Sequence, residues 1–349
     1  MTALLDIQDL RCSFLTAKGE VRAVDGVSFS IDSGESLGVV GESGSGKTVT
    51  AMSVLRLFPV TANVRISGKV MFEGVDILRA RPRELRRIRG GRIGVVFQDP
   101  LTSLDPVMPV GDQISEAILV HRDVTRRAAR LRAIELMERV GIPDPEERSN
   151  DLPYRFSGGM RQRIMIAMAI SCEPKLLIAD EATTALDATV QAQILSLLDG
   201  LQREFDMATM VISHDFGVVA AVCDRVQVMY AGQVVERAPI EPLLLRSSHP
   251  YTTALLHLVP KLEHAKHHQL HPIPGAPPLT NLDMQGCRFA QRCQHRMPVC
   301  DDAPPLFDVS ANHLSACWLA SPATPRGATV AVPPIESAVP PIKSAGVRA

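Results

Sequence analysis

The stretch Gly41-Glu42-Ser43-Gly44-Ser45-Gly46-Lys47-Thr48 has the residue types and spacing to hold a polyphosphate. It fits the pattern G-x-x-x-x-G-K-[ST]. Small side chains let successive backbone N–H groups approach phosphate oxygens. Lys47 would reach the β- and γ-phosphates, and the Thr48 hydroxyl would ligate Mg²⁺. Such a loop needs a strand before it and a helix after it, because the helix start adds partial positive charge under the phosphates. Residues 36–40, Ser-Leu-Gly-Val-Val, read as a short buried strand, and 48–57 as a helix. The competing reading is a glycine-rich turn that binds nothing. An eight-residue match in this context argues against it.

Further candidates fall at the ends of predicted elements. Residues 94–98 read as a buried strand ending in Gln98 and stopped by Asp99-Pro100. Residues 175–181 are an apolar strand ending in Asp180 and Glu181. Beside a phosphate loop, Asp180 would support Mg²⁺. Glu181, on the other side of the alternating strand, would orient and deprotonate an attacking water. Residues 210–214 form another strand, with His214 at its end. Functional side chains at the carboxyl ends of strands are what an open α/β sheet predicts. A second phosphate-friendly feature is Ser157-Gly158-Gly159-Met160-Arg161-Gln162, a glycine turn preceded by a capping serine and opening onto a helix over 164–170. Ala185-Leu186-Asp187 leads into a helix over 189–205. Phe14 is either a base-stacking ring or a half-buried strand residue.

The elements that position these residues follow from periodicity. Residues 4–13 and 21–31 alternate about a turn at Lys18-Gly19-Glu20, and 70–77 alternate about Gly74. Residues 110–140 read as helical until Pro143 and Pro145, and 226–236 as a hairpin about Ala231-Gly232. With 349 residues, 46% of them apolar, the chain can bury one large domain and a smaller unit. Lys plus Arg number 37 against 38 for Asp plus Glu, so overall charge makes no case for nucleic acid. Locally, 79–92 carries seven arginines and one acid, either a solvated face or a docking surface for acidic protein or lipid head groups. Met1 to Gln8 lacks a basic n-region, so no secretory signal is expected, and no apolar run reaches membrane-spanning length.

The order of these motifs resembles the ATP-binding subunits of ABC transporters over residues 4 to about 255. In that family a phosphate loop, a glutamine, a Ser-Gly-Gly signature, an Asp-Glu strand end, an Ala-Leu-Asp turn and a strand-end histidine follow in turn. The Asn-Lys-x-Asp base-reading motif of small GTPases is absent from the sequence. Phe97-Gln98-Asp99-Pro100-Leu101-Thr102-Ser103-Leu104-Asp105-Pro106, Gln191-Ala192-Gln193-Ile194-Leu195 and His249-Pro250-Tyr251 narrow the resemblance to the peptide and nickel importer subfamily. Met160 stands where many signatures have glutamine, and Ala182 where proline is common; neither removes a phosphate donor or a carboxylate.

The resemblance implies an α/β fold: a P-loop NTPase (RecA-like) core with an antiparallel β subdomain, an inserted helical subdomain at about 99–170 and a small cysteine-containing C-terminal extension. It implies an ATPase domain over 1–255 and an extension over 256–320, followed by a tail over 321–349 whose composition reads as disordered. Two such domains would face each other head to tail, whether the partner is identical or a second subunit. The loop, Phe14, Gln98, Asp180 and His214 would bind ATP, with Mg²⁺ held by Thr48, Gln98 and Asp180. Glu181 would be the base, with His214 and Gln98 assisting. Ser157, Gly158, Gly159, Met160 and Gln162 would contact the partner's ATP, and Asp187 the dimer interface. Two membrane permeases and an extracytoplasmic binding protein would complete a peptide importer, with this subunit peripheral on the cytoplasmic face of the membrane and no nucleic acid partner. Nickel or another small solute is the alternative cargo. A soluble ABC ATPase acting on nucleic acid or ribosomes is a more distant alternative, and Glu181 argues against a subunit that binds ATP without turnover.

Cys12, Cys172 and Cys223 are scattered in apolar segments and read as buried free thiols. Cys287, Cys293, Cys300 and Cys317, separated by five, six and sixteen residues, point to metal in a reducing compartment. Those gaps fit structural zinc poorly. Four cysteines also suit a [4Fe–4S] cluster, which the tails of some peptide-importer ATPases carry; zinc and free thiols are the alternatives. The histidine- and proline-rich stretch 260–285 reads as an extended connector, with metal binding by its histidines the lesser reading.

Overall fold

The computed structural model describes residues 3–17, 19–59, 61–184, 186–258, 273–278 and 284–322. Strands form at β1 (Leu5–Thr16), β2 (Gly19–Ile31), β3 (Ser36–Val40), β4 (Val64–Phe72), β5 (Val75–Asp76), β6 (Ile93–Val96), β7 (Leu176–Asp180), β8 (Ala208–Ser213), β9 (Arg225–Tyr230), β10 (Gln233–Pro239), β11 (Phe307–Ser310) and β12 (His313–Ser315). Helices form at α1 (Lys47–Leu55), α2 (Pro82–Ile88), α3 (Pro100–Ser103), α4 (Val110–His121), α5 (Arg126–Arg139), α6 (Pro145–Arg148), α7 (Gly158–Ile170), α8 (Ala188–Phe205), α9 (Phe216–Val222), α10 (Ile240–Leu245) and α11 (Pro250–His257). The chain divides into two compact units. One is built chiefly from Met71–Ile212. The other comprises Asp6–Phe29, Leu37–Val70 and the described residues from Ser213 onward.

In the first unit β6, β7 and β8 run parallel, with Ile93 opposite Leu176 and Asp180 opposite Ile212. β7 and β8 are buried along their whole length, as parallel strands between helices are. The single helical stretch expected over 110–140 is two helices. Arg122 leaves the helical region at φ −121°, ψ 139°. Thr125 then opens α5, its hydroxyl accepting from the Ala128 N–H at 3.2 Å. That threonine is an N-cap signal that apolar periodicity overrides. Ile114, Ile118, Leu136, Met137, Ile164 and Met165 from α4, α5 and α7 close one core. β6 ends at Val96, two residues before Gln98. Asp99 does more than stop it: its carboxylate accepts from the Leu101 N–H at 2.8 Å and caps α3. In the arginine-rich segment α2 buries Leu85 and Ile88 and leaves Arg86 and Arg87 exposed, the solvated-face arrangement.

In the second unit β3 pairs in parallel with β9, and β9 turns into β10 through Ala231 and Gly232, both at positive φ (46° and 83°). That backbone matches the twist of a tight hairpin. β10 also pairs antiparallel with β12, Glu236 opposite Ser315, and β12 with β11. These last two strands were not expected. At four and three residues they are too short for an alternation to register. A smaller sheet has the order β2-β1-β4. β4 starts six residues earlier than the alternation over 70–77 implies. Gly68 breaks the pattern there: its φ is 99°, and a Cβ would stand 2.4 Å from the Asp9 carbonyl oxygen. Among the described residues no helix is long and apolar enough to cross a membrane.

Candidate functional site

The phosphate loop joins β3 to α1 within the second unit. Gly41, Gly44 and Gly46 all have positive φ. A Cβ on Gly41 would lie 2.2 Å from the Met229 carbonyl oxygen, and one on Gly46 2.4 Å from that of Ala23. The loop is therefore a tight backbone cradle that no other residue can enter at those positions. Gly46 caps α1 without a side-chain acceptor, a helix start suited to an outside anion. The Lys47 ammonium is buried and curls over the loop, donating to the carbonyls of Gly41 at 2.7 Å and Glu42 at 3.0 Å. The Ser45 hydroxyl is buried with no protein partner. An orphaned buried hydroxyl and a coiled lysine inside a glycine cradle fit a polyphosphate. Ser43 and Gly44 are exposed, and Thr48 is half-buried on the first turn of α1.

Three expected groups meet in the first unit. Asp180 is buried at the end of β7. Glu181 is not on that strand, so strand alternation does not set its direction. Its backbone turns into the left-handed region at φ 49° while its N–H donates to the Ile212 carbonyl at 2.9 Å. A non-glycine residue held there is uncommon and strained. Gln98 Nε2 donates to Glu181 Oε2 at 3.0 Å, and Thr184 Oγ1 to the same oxygen at 3.4 Å. Both donors help orient the carboxylate.

The signature is also a helix start, six residues earlier than expected. Ser157 caps α7, accepting from the Met160 N–H at 3.4 Å. The two glycines therefore form the first turn of the helix. A Cβ on Gly159 would reach 2.6 Å from Val190 Cγ1 of α8. Gln162 is buried, and its Nε2 has no protein partner. Asp187 caps α8, accepting from the N–H groups of Thr189 and Val190 at 3.1 and 3.0 Å; Ala185 lies outside the described residues. In the second unit His214 follows β8 and is exposed. Phe14 packs edge-on against Phe58, with ring centroids 5.9 Å apart.

Cys287, Cys293, Cys300 and Cys317 line one cavity with His249, Phe289 and Trp318. Backbone N–H groups of His295 and Met297 point at the sulfurs of Cys293 and Cys300, at 3.3 and 3.4 Å. Burial pushes the thiols of Cys287, Cys293 and Cys317 up, the last to about 12. Among the described residues no group of three or more His, Cys, Asp or Glu side chains stands ready-formed around a metal position. Cys12, Cys172 and Cys223 are buried free thiols, as expected.

Sequence reading missed Tyr251 and Arg292 as parts of the site. Both reach Glu42 of the loop, Tyr251 Oη accepting its N–H at 2.8 Å and Arg292 pairing with its carboxylate. Only His249-Pro250-Tyr251 drew attention in the sequence, with no role attached.

Residues 24–184 match the ABC transporter family model, and 235–300 that of the oligopeptide/dipeptide transporter C-terminal region. The oligopeptide transport ATP-binding protein OppD of Bacillus subtilis is 48% identical over 93% of this chain and 91% of its own. The chain belongs to the ABC transporter ATP-binding family. Its relative OppD of Escherichia coli is 46% identical over 90% of this chain and 93% of its own. Among solved structures, the ABC cassette MJ0796, as a post-hydrolysis dimer bound to ADP and Pi, aligns with TM-score 0.61 and 25% identity. It covers 68% of this chain and 98% of that one. The fold is thus that of ABC cassettes, the P-loop NTPase fold, and the protein is an ABC ATPase.

Proposed function

We propose that this ABC ATPase powers uptake of di- and oligopeptides, paired with a second ATP-binding subunit on the cytoplasmic face of two membrane permeases fed by an extracytoplasmic binding protein. The match of 235–300 to the oligopeptide/dipeptide transporter region supports the cargo, as do the relatives' names. Phe97, Leu101 and Val107, just around Gln98, are exposed apolar side chains (39, 66 and 80%), which supports permease docking next to the γ-phosphate sensor.

The contact between Gln98 and Glu181 carries the mechanism. ATP rests on the backbone N–H groups of the loop, with Lys47 at its β- and γ-phosphates and Phe14 at its base. Thr48, Gln98 and Asp180 would hold Mg²⁺, which when bound neutralises phosphate charge. Glu181 takes a proton from water as its oxygen bonds to the γ-phosphorus and the bond to ADP breaks. His214 steadies the γ-phosphate and that water. Ser157, Gly158 and Gly159, with Met160 and Gln162 behind them, serve the ATP held by the partner, and Asp187 acts across that interface. In proteoliposomes holding the assembled complex and its binding protein, peptide should raise ATP turnover several-fold. Stimulation by nickel and not by peptide would overturn the cargo.

The four cysteines of the extension, in the same reading, hold a [4Fe–4S] cluster, with zinc the alternative. The four cysteines that share the lining of one cavity and the N–H groups aimed at two of their sulfurs support it. Thiols raised by burial need a metal's charge to ionise. When bound, the cluster supplies a rigid tie for the extension. The functional division is then 1–255 for ATP, 256–320 for the extension and 321–349 for a tail. The histidines between 264 and 271, and 323–349, lie outside the described residues. Iron and acid-labile sulfide in brown, anaerobically purified protein would support the cluster; one zinc in colourless protein would sink it.

A further inference from the structure

The extension grips the phosphate loop at Glu42 and the turn beside it at Ala231, through arginines that flank its cysteines. Arg292 precedes Cys293, and its side chain is only 6% exposed. Its guanidinium meets the Glu42 carboxylate in a two-pronged pair, Nη1 to Oε2 at 2.6 Å and Nη2 to Oε1 at 3.0 Å. Nε donates to the Pro274 carbonyl at 3.0 Å, and Nη1 also to Tyr230 Oη at 3.3 Å. Glu42 is the second residue of the loop, and its polar groups are held on every side. Tyr251 Oη accepts from its N–H at 2.8 Å, Arg292 takes the carboxylate, and its carbonyl accepts from Lys47 Nζ at 3.0 Å. The second grip starts at Arg288, which follows Cys287 and pairs with Asp25 and the Ala231 carbonyl. The turn it holds feeds back to the loop, since the Gly232 N–H donates to the Ser45 carbonyl at 2.9 Å.

We infer that Arg292 and Tyr251 are positioning residues of the nucleotide site, and that the cysteine-bearing extension thereby sets the affinity of this subunit for ATP. The inference rests on the reading of Gly41–Thr48 as the ATP loop. The physical basis is pre-organisation. Lys47 is tethered to the carbonyls of Gly41 and Glu42, so a loop free to shift at Glu42 misplaces the ammonium that must meet the phosphates. A planar guanidinium fixes a carboxylate in both distance and orientation, which a lysine does only in distance. Coupling of this kind is reciprocal: what orders the extension strengthens ATP binding, and ATP binding orders the extension.

The test titrates the full-length chain with a fluorescent ATP analogue and reads turnover in the assembled complex. Arg292→Ala should weaken binding on the order of tenfold, and raise KM for ATP more than it lowers kcat. Arg292→Lys should recover part of the loss. Tyr251→Phe deletes one oxygen but keeps the ring packed on Tyr230 and Phe289. It answers the concern that Arg292→Ala misfolds, and should weaken binding roughly two- to tenfold. Emission from Trp318, the chain's single tryptophan, should shift on adding ATP to the wild type and not to Arg292→Ala. Lys47→Ala is the control. If it abolishes binding while Tyr251→Phe and Arg292→Ala bind like the wild type, the positioning role is overturned and the loop reading stands. If Lys47→Ala itself binds normally, the loop reading falls and the inference with it.

Discussion

The phosphate loop and the C-terminal extension meet at Glu42 and are encoded in opposite ways. The loop's geometry is written within eight consecutive residues: three glycines at positive φ, a lysine and a threonine. The extension's part depends on Arg292 meeting Glu42 from 250 positions away. Local backbone chemistry leaves a pattern in the sequence. A side chain that supports it from far along the chain leaves none, because nothing in the spacing around Arg292 differs from any surface arginine. A nucleotide site can therefore be found from its motif while the residues that tune it stay hidden.

This contrast is open to breakage from both sides. Lys47→Ala should have the largest effect, weakening ATP binding roughly 30-fold or more, the usual loss when one partner of a buried charge pair is truncated. A smaller loss than that of Arg292→Ala would reverse the proposed ranking of loop over extension. Cys293→Ser, which removes one of the four proposed cluster ligands, should weaken ATP binding by about as much as Arg292→Ala, on the order of tenfold. A lower Tm with an unchanged Kd would mean that the extension stabilises itself and leaves the loop alone. Gly46→Ala places a Cβ 2.4 Å from a carbonyl at φ 101°. It should cost about 1–3 kcal/mol of strain or more, read as a Tm lower by roughly 2–8 °C.

The smallest effect concerns pH. Burial lowers the imidazole of His249 to about 4, against raising contributions from Glu236 and a hydrogen bond with the Ala316 backbone. The neutral ring caps α11, its Nδ1 accepting from the Tyr251 N–H at 3.1 Å. Between pH 6.5 and 4 the unfolded chain takes up a proton that the folded ring refuses. Stability is therefore full above about 6.5 and falls as pH drops toward 4, by up to roughly 3 kcal/mol. His249→Asn, which retains a cap acceptor, should flatten Tm against pH over that window. An unchanged slope would remove His249 from the explanation.

Much of the ATPase half was legible. β3, β7 and the β9–β10 hairpin fall where alternation and apolar runs put them, since buried strands bounded by glycines and charges are the clearest signal a sequence carries. The misses were of two kinds. Local cap signals were outvoted or underused: Thr125 capped a second helix inside one apolar stripe, and Ser157, read as a cap, started α7 six residues before the first residue expected to be helical. Tertiary partners were invisible: β12 is a strand because β10 offers it an edge, and β11 pairs in turn with β12. Glu181 combines both. Its identity was readable, but its left-handed backbone depends on the Ile212 carbonyl of β8.

Glu181 also decides the account. In the assembled complex, Glu181→Gln keeps the side chain's size and its place beside Gln98 and removes only the ability to take a proton. The measurement is ATP affinity together with steady-state turnover. The prediction is near-normal ATP binding and turnover lower by roughly 10²- to 10⁴-fold, the usual share of a general base. Wild-type turnover in that variant would contradict the mechanism at its centre.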